Sequence, residues 1–289
     1  MISVVLATFN EEKNIERCLE SVKSFADEII VVDGSSTDET REIARKLGAE
    51  VIKTTNKPNF HINKQIAMDH AKGDLVLQLD ADEVVDKILQ RFIKKAHSKI
   101  LKREPHNRKV VAWWLKRKNL FMGQFFKKTG QYPDPVIRLY INGYAKLPQK
   151  DIHEQMKVDG RVAWAEGHLI HYANPTFKDY MRKWNTYTAF KAQQLLTDKI
   201  KINFFSSIKY LVWLPSKTFI LIFIRHKGFV DRIPGFVFSV MSALYYPMSY
   251  LKLWGLYQSK IQGEEGEWRS QRSQPGLWQS QRKYPGVKK

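Results

Sequence analysis

The stretch Gln78-Leu79-Asp80-Ala81-Asp82-Glu83 places three carboxylates directly after the apolar run Leu75-Val76-Leu77. The apolar run is typical of a buried strand. Side chains alternate with a period of two along a strand, so Asp80 and Asp82 lie on the same side of the chain. Mg²⁺ and Mn²⁺ prefer oxygen ligands, commonly one or two carboxylates completed by phosphate oxygens. The stretch therefore predicts a metal and diphosphate site at a strand end. Taken alone, a solvated acidic turn is the alternative.

The sequence before this motif alternates between predicted strands and predicted helices. Apolar residues recur at helical spacing between the strands, as in amphipathic helices. The predicted strands are short and mostly apolar, and they cover residues 2–7, 28–33, 51–52 and 74–79. Strands that alternate with helices of this length indicate right-handed crossovers and a largely parallel sheet. The pattern therefore predicts an α/β fold.

Polar clusters follow three of these predicted strands. They are Asn10 to Glu12, Asp33 to Ser35, and Asp80 to Asp82. Ligands of open parallel sheets bind outside the carboxyl ends of the strands, so we predict that the three clusters form one site. Two local signals also stand here: Asn10 is a predicted helix N-cap, and Ser36 with Glu39 has the spacing of a capping box.

Three segments resemble, in order and spacing, the motifs of family 2 glycosyltransferases. They are Val4-Val5-Leu6-Ala7-Thr8-Phe9-Asn10-Glu11-Glu12, Val31-Val32-Asp33-Gly34-Ser35-Ser36-Thr37-Asp38 and Gln78-Leu79-Asp80-Ala81-Asp82-Glu83. The resemblance implies the GT-A fold, a Rossmann-like and mostly parallel sheet. The chain looks most similar to the bacterial branch that adds glucose or related sugars to lipopolysaccharide core or other lipid-anchored glycans.

The resemblance implies that the first two motifs hold the nucleotide, usually UDP. Thr8, Asn10 and Glu12 would line the uridine pocket. Asp33 would accept a hydrogen bond from the base or ribose, with Ser35 alongside. The alternative for Asp33 and Ser35 is that they cap the helix that follows them.

The third motif would serve a divalent metal, Mn²⁺ or Mg²⁺, and the UDP-sugar donor. The resemblance assigns both Asp80 and Asp82 to this task, with Asp82 as the direct metal ligand. The metal would neutralise the leaving diphosphate while the glycosidic bond breaks. His171 follows a short apolar run and is a candidate third ligand of the metal or diphosphate. A structural core histidine is the alternative for His171.

The resemblance also implies an inverting reaction, in which a carboxylate deprotonates the acceptor hydroxyl. Glu154 follows a strand-like segment at 136–140 and occupies the position of that base. Asp151 is the second candidate, and a plain surface acid is the alternative for both. A base needs hydrogen-bond reach to the acceptor and a suitable pKa, neither of which a sequence displays.

The character of the chain changes after residue 201. Apolar runs are interrupted at short intervals by Pro, Lys or Arg, and Trp and Tyr are frequent. No run reaches the ~18 to 20 uninterrupted apolar residues of a spanning helix, so amphipathic helices on a membrane surface fit better. A buried helical subdomain, a dimer face and re-entrant segments are the alternatives. We predict a catalytic domain at 1–200, a hydrophobic helical membrane-associating region at 201–262 and a disordered basic tail at 263–289.

The composition agrees with this placement. The formal net charge is +19, which suits anionic lipid headgroups and a phosphorylated glycolipid acceptor. Nucleic acid would also suit a basic protein, but no nucleic-acid motif accompanies the charge, so we expect no such partner. The single cysteine, Cys18, excludes an internal disulfide and fits a reducing compartment. A strand begins at the second residue, so we expect no signal peptide.

These observations predict a metal-dependent, inverting hexosyltransferase at the cytoplasmic face of the bacterial inner membrane, bound peripherally or monotopically. Its partners would be a UDP-sugar donor, a lipid-linked or lipopolysaccharide-type glycan acceptor and the membrane surface. Two alternatives stay open. One is a nucleotidyltransferase, which shares strand-end acids and a nucleotide pocket. The other is an inactive glycosyltransferase-like scaffold at the membrane.

Overall fold

A computed structural model describes residues 1–57, 59–101, 110–148 and 155–272, with side chains described as far as residue 259. The chain forms two compact units. The first contains Met1–Tyr180 and Ile222–Phe238, and the second contains Met181–Leu221 and the described residues from Ser239 onward. The predicted domain limits at residues 200 and 262 stay predictions.

The first unit is built on a mixed sheet of nine strands. The strands of the first half are β1 (Ile2–Thr8), β2 (Glu28–Asp33), β3 (Glu50–Lys53), β4 (Leu75–Leu79) and β5 (Glu83–Val85). The later ones are β6 (Val110–Phe121), β7 (Gln124–Phe125), β8 (Asp134–Ile141) and β11 (Arg161–Asn174). Two further strands, β9 (Ala145–Lys146) and β10 (Lys157–Val158), pair with each other in a separate small sheet.

The order along the main sheet is β3-β2-β1-β4-β8-β6-β11-β5, with β7 paired to β6. The first four neighbours run parallel, which confirms the prediction for the first half of the chain. Beyond β4 the direction changes: β8 is antiparallel to both β4 and β6, and β11 is parallel to β6. In the parallel part, Thr8 lies beside Asp33, and Leu6 lies beside Leu79. The polar clusters after these strands therefore share one rim.

Helices cover both faces of this sheet because the strand side chains alternate between them. Val4 and Leu6 face α1 (Ile15–Glu20), α2 (Thr40–Lys46) and α4 (Lys87–Leu101). Val5, Ile30 and Val32 face α3 (Phe60–Asp69) on the other side. The near-continuous apolar sequences of β1, β2 and β4 follow from this burial on both faces.

Two of the predicted helix caps are wrong. Helix α1 begins at Ile15 with Asn14 at the N-cap position, and the Oδ1 atom of Asn10 instead accepts from the backbone N–H of Thr37 at 2.8 Å. Helix α2 begins at Thr40, one residue after Glu39, and the hydroxyl of Ser36 donates to Asp33. In both places, bonds that tie the rim loops together replace the local cap that the sequence favours.

The second unit is helical. It contains most of α5 (Phe177–Thr197), most of a helix at Phe204–Arg225 and the long α8 (Arg232–Arg272) beyond Phe238. We call Phe204–Arg225 the apolar helix; its α-helical segments α6 (Phe204–Ile208) and α7 (Leu214–Phe219) alternate with π-helical turns at Lys209–Trp213 and Ile220–Arg225. Within the described part of the chain, it is the one helix whose length and composition would allow it to cross a membrane.

Candidate active site

The loops after β1 and β2 are joined by hydrogen bonds at the rim. The hydroxyl of Thr8 donates to Asp33 at 3.4 Å, and the backbone N–H of Asn10 donates to the Ser36 hydroxyl at 2.9 Å. The carboxylate of Glu12 accepts from the backbone N–H of Glu39 at 3.3 Å. The structure therefore brings the predicted nucleotide residues Thr8, Asn10 and Glu12 together with the second motif.

Asp33 and Ser35 are engaged by their own surroundings. Asp33 is fully buried, and its carboxylate accepts from the backbone N–H and the hydroxyl of Ser36. Ser35 has a left-handed backbone with φ of 68°, and its hydroxyl donates to the carbonyl of Thr54 at 2.6 Å. Asp33 thus closes the turn that leads to α2. A contact from these residues to a nucleotide stays a prediction.

Asp80 lies among cations. Arg138 on β8 donates to its carboxylate at 2.5 Å, and the ammonium of Lys64 on α3 forms an ion pair with the other oxygen. Gln78 donates to it as well, at 3.3 Å. Arg138 also lies 3.5 Å from Glu83, which is completely buried. Both oxygens of Asp80 are therefore bound by groups of the protein itself.

These charges set the protonation of the cluster. Burial would raise the pKa of Asp80, but the charges of Arg138 and Lys64 outweigh burial and hold this pKa well below its ordinary value. Burial lowers the pKa of Lys64, against the attraction of Asp80. The pKa of Arg138 is raised by Asp80 and Glu83 despite its burial. Asp80 is therefore a carboxylate throughout the neutral range.

Asp82 has a different surrounding. Its Oδ2 atom lies 3.3 Å from Nε2 of His171, which belongs to β11. The register of the antiparallel β5–β11 pair brings Asp82 and His171 together. His171 pairs with Glu83 of β5, and the N–H of Tyr172 donates to the carbonyl of Asp82 at 2.9 Å. The side chains of Asp82 and His171 are 18% and 17% exposed, so both can be reached from solvent.

The other ring nitrogen of His171 meets Asn119, its neighbour across the β6–β11 pair. The distance from His171 Nδ1 to Asn119 Oδ1 is 2.7 Å. The amide nitrogen of Asn119 is occupied, because it donates to Asp134 at 3.0 Å and to the carbonyl of Gln131 at 3.2 Å. An amide oxygen can only accept, so Nδ1 of His171 must carry the proton. In the neutral ring this leaves the lone pair of Nε2 directed at Asp82.

A cavity of about 220 Å³ opens beside Asp80. Its polar lining comes from His61, Lys64, Gln78, Asp80, Arg117, Arg138 and Gln155, and its apolar lining includes Phe60, Val136, Ile137, Leu147 and Met156. Two of these lining residues, Leu147 and Gln155, lie on either side of the segment 149–154. The predicted base Glu154 and its alternative Asp151 belong to that segment and lie outside the described residues.

Comparison with known proteins gives the family. The model of "Glycosyl transferase family 2" matches residues 3–154, more than half of the chain. An uncharacterized glycosyltransferase of Rickettsia typhi is 31% identical over 254 residues, which cover 84% of this chain and 82% of that protein. The chain belongs to the family 2 glycosyltransferases.

Other similarities are weaker. The lipopolysaccharide core biosynthesis glycosyltransferase LpsC of Rhizobium meliloti is 24% identical over 256 residues, covering 84% of this chain and 90% of LpsC. Glucosyl-3-phosphoglycerate synthase of Mycobacterium tuberculosis, solved with Mn²⁺ and UDP-glucose, is 25% identical with a TM-score of 0.32, over 43% of this chain and 44% of that one. TarS of S. aureus is 18% identical with a TM-score of 0.42, over 80% of this chain and 45% of TarS.

Membership in the family 2 glycosyltransferases confirms the family and the GT-A fold expected from the three motifs. The match ends at Glu154, so the described strand β11 with His171 lies beyond it. The contacts of His171 therefore follow from the structure and not from the family match.

The rim of this family 2 glycosyltransferase offers few ligand atoms to a divalent metal. Among the described residues no group of three or more His, Cys, Asp and Glu side chains is arranged to hold a metal. Asp82 and Nε2 of His171 offer two ligand atoms, and a lone pair facing a carboxylate at 3.3 Å is favourable when a cation or a proton lies between them. Two protein ligands completed by diphosphate oxygens fit Mg²⁺ or Mn²⁺.

Sequence reasoning missed Lys64 and Asn119. Lys64 had a detectable signal: α3 buries His61, Lys64 and Met68 along one face, so a lysine occupies a core position of an amphipathic helix. No sequence signal pointed to Asn119, because its contact with His171 depends on the register between β6 and β11.

The Asp80 cluster predicts a stability difference between the two carboxylates of the motif. Replacing Asp80 by Asn leaves Lys64 and Arg138 short of their counter-charge, so we expect a loss of about 3 kcal/mol in the free energy of unfolding at pH 7. Asp82→Asn is the matched control, with a loss of about 1 kcal/mol or less. Urea unfolding measures both.

The pH dependence follows from the lowered pKa of Asp80 in the folded state. Its stabilising contribution is complete above the unfolded pKa of about 3.9 and is lost as the pH falls through the folded value. The gap between wild type and Asp80→Asn should therefore be constant near neutrality and shrink in acid. Equal stabilities of the two variants at pH 7 would contradict the cluster's role.

Proposed function

We propose that this family 2 glycosyltransferase is metal-dependent and inverting, and that it moves a hexose, such as glucose, from a UDP-sugar to a lipid-linked or lipopolysaccharide-type glycan acceptor. The observation that carries the metal-dependent transfer is the Asp82–His171 pair beside the cation-bound Asp80, at the rim that also holds the first two motifs. The similarity to LpsC supports the acceptor class. We place the reaction at the cytoplasmic face of the inner membrane, with the protein bound peripherally or monotopically.

Asp82 and His171 would hold the metal, and Asp80 would act beside them without binding it directly. When bound, the metal supplies positive charge to the diphosphate leaving group. Asp80 keeps Arg138 and Lys64 fixed next to this position, and Asn119 holds the His171 ring in the tautomer that presents Nε2. The sequence predicted that Asp80 and Asp82 both serve the metal. The proposal assigns metal binding to Asp82 and the positioning of Arg138 and Lys64 to Asp80.

The first two motifs would bind the nucleotide. Asn10 and Glu12 are exposed at the rim and available to a uridine, while Thr8, Asp33 and Ser35 shape the turn behind them. The exposed ring of Phe9, at 42%, stands in the same loop and offers a surface for a base.

Glu154 is proposed as the base that takes the proton of the acceptor hydroxyl, with Asp151 as the second candidate. The support is that Gln155, next to Glu154 in the chain, lines the cavity beside Asp80. A hydroxyl bound in that cavity would lie near Asp80 and Gln155.

The nucleotidyltransferase alternative loses its support because the family match assigns glycosyl transfer. The inactive scaffold remains a distinct hypothesis, which the following experiments test. A scaffold has no need of the arrangement of Asn119, His171 and Asp82.

We expect UDP with Mn²⁺ to stabilise the protein against heat more than ADP, GDP or CDP. A ligand at about 100 times its dissociation constant adds about 2.7 kcal/mol to stability, a visible shift of Tm. Asp82→Asn should retain the shift with UDP alone and lose the increment from Mn²⁺. A shift specific to another nucleotide would change the donor, and no shift with any nucleotide would favour the scaffold.

Asn119→Leu should weaken Mn²⁺ binding by about 10- to 100-fold, because the ring of His171 loses the acceptor that fixes its tautomer. The free Mn²⁺ signal in electron paramagnetic resonance gives this affinity without any turnover. Asn142→Leu is the control, since Asn142 donates to the carbonyl of Ala71 in a loop after β8. Unchanged affinity in Asn119→Leu would remove His171 from the metal site.

Glu154→Gln should bind UDP-glucose normally and transfer the sugar about 10² to 10⁴ times more slowly, as expected for loss of a general base. Release of UDP in the presence of a bacterial glycolipid fraction measures transfer, and Asp151→Asn is the matched control. Normal turnover of Glu154→Gln together with a slow Asp151→Asn would assign the base to Asp151.

A further inference from the structure

We infer that residues 202–217 form a face that inserts into the surface of an anionic bilayer, and that the apolar helix lies along this surface instead of crossing the membrane. The inference deepens the proposed function, because it rests on the membrane location proposed there. We call the exposed apolar residues of this segment the insertion face; they are Ile202, Phe204, Phe205, Ile208, Leu211, Val212 and Trp213.

The insertion face is unusually exposed for such large apolar side chains. Phe205 is 81% exposed, Phe204 72% and Trp213 62%, and all three belong to one compact unit. The opposite side of the same helix is packed, because Tyr210 is buried and stacks on Tyr250 of α8 with ring centroids 5.2 Å apart. A contiguous exposed apolar patch on a folded helix marks a surface that meets a partner.

The charge around the insertion face identifies the partner. Between residues 198 and 221, all in the second unit, the basic residues are Lys199, Lys201, Lys209 and Lys217, and the acidic one is Asp198. The net charge of the segment that carries the face is therefore positive. Anionic lipid complements it, whereas a second copy of the chain would place like charges opposite each other.

The C-terminal end of the apolar helix, residues 222–225, belongs to the first unit, which carries the rim motifs and which we call the catalytic unit. The backbone N–H of Thr129 donates to the carbonyl of His226 at 3.1 Å. The Asp231 carboxylate accepts from Lys127 at 2.7 Å and from Lys128 at 2.9 Å. The residues that follow the helix therefore stay on the side of the membrane where the catalytic unit is.

The helix that precedes the apolar helix cannot cross. Helix α5 begins in the catalytic unit, where Tyr180 contacts Phe121 with ring centroids 4.9 Å apart. If the apolar helix spanned the bilayer, α5 would have to span it in the opposite direction to connect. Lys191 lies in the interior of α5, and α5 is not among the described helices that are long and apolar enough to cross a membrane. Charged side chains at the bilayer centre are strongly disfavoured, so the apolar helix lies on one side.

The lysines inside the apolar helix agree with this position. Lys209 and Lys217 are exposed and flank Trp213 in the sequence. At a membrane surface, long lysine side chains reach the headgroups while a tryptophan ring settles between headgroups and acyl chains.

Flotation with vesicles tests the lipid partner. The wild type should float with phosphatidylglycerol-containing vesicles and much less with pure phosphatidylcholine. Replacing Lys201, Lys209 and Lys217 by Glu should weaken binding by at least about a hundredfold, since each lysine near an anionic surface is worth about fivefold. The matched control replaces the exposed Lys23, Lys46 and Lys157 by Glu and should float like the wild type.

The apolar contribution is tested with Phe205→Ser/Trp213→Ser, whose exposed positions leave the folded state intact. This variant should lose flotation and keep the Tm shift with UDP. A wild-type protein that fails to float but still shows the Tm shift with UDP would overturn this inference alone. A wild-type protein that floats but shows no Tm shift with UDP would overturn the proposed donor. A third outcome is that the wild type does not bind vesicles and sediments as a dimer, while Phe205→Ser/Trp213→Ser sediments as a monomer. The insertion face would then be a contact between two copies of the chain, and the inference would be wrong.

Labelling separates lying on the membrane from crossing it. Lys201→Cys and His226→Cys place thiols before and after the apolar helix, at exposed positions, while the native Cys18 is buried. A membrane-impermeant maleimide should label both in inverted membrane vesicles and neither in intact spheroplasts. Labelling of one variant in each preparation would show that the helix crosses.

Discussion

The carboxylate of Asp80 is held by two cations that come from different elements, Lys64 on helix α3 and Arg138 on strand β8. A buried carboxylate is stable only where its charge is compensated, and removal of one partner leaves the others uncompensated. The end of β4 is therefore fixed from both sides. Because of this constraint, the next acid of the motif, Asp82, occupies a defined position in front of β11.

The antiparallel pairing of β5 with β11 completes the site. It sets His171 opposite Glu83, and the parallel pairing of β11 with β6 sets it beside Asn119. One irregularity in β11 makes this register possible: Gly167 has φ of +87°, and a Cβ there would meet the backbone of Leu89 at 2.3 Å. Glycine alone tolerates both conditions at once. The chemistry proposed at the rim thus depends on a bulge in a distant segment of the sequence.

Residues 226–231, which follow the apolar helix, are held by the segment 127–129. The backbone N–H of Thr129 donates to the carbonyl of His226, and those of Lys127 and Lys128 donate to the carboxylate of Asp231. The last turn of the apolar helix and the residues after it are therefore fixed within the first unit, by bonds between segments about 100 residues apart in the chain.

The sequence by itself determined the alternating strands and helices, the rim of polar clusters and the family, because these depend on local periodicity and on motifs that are contiguous in the chain. It failed at the caps of α1 and α2, where bonds between distant loops displaced the local pattern. Only the tertiary structure decided that Asp80 is bound by cations and that Asp82 faces His171. Those contacts join residues separated by 58 and 89 positions, which meet through strand register. No local signal encodes such a register.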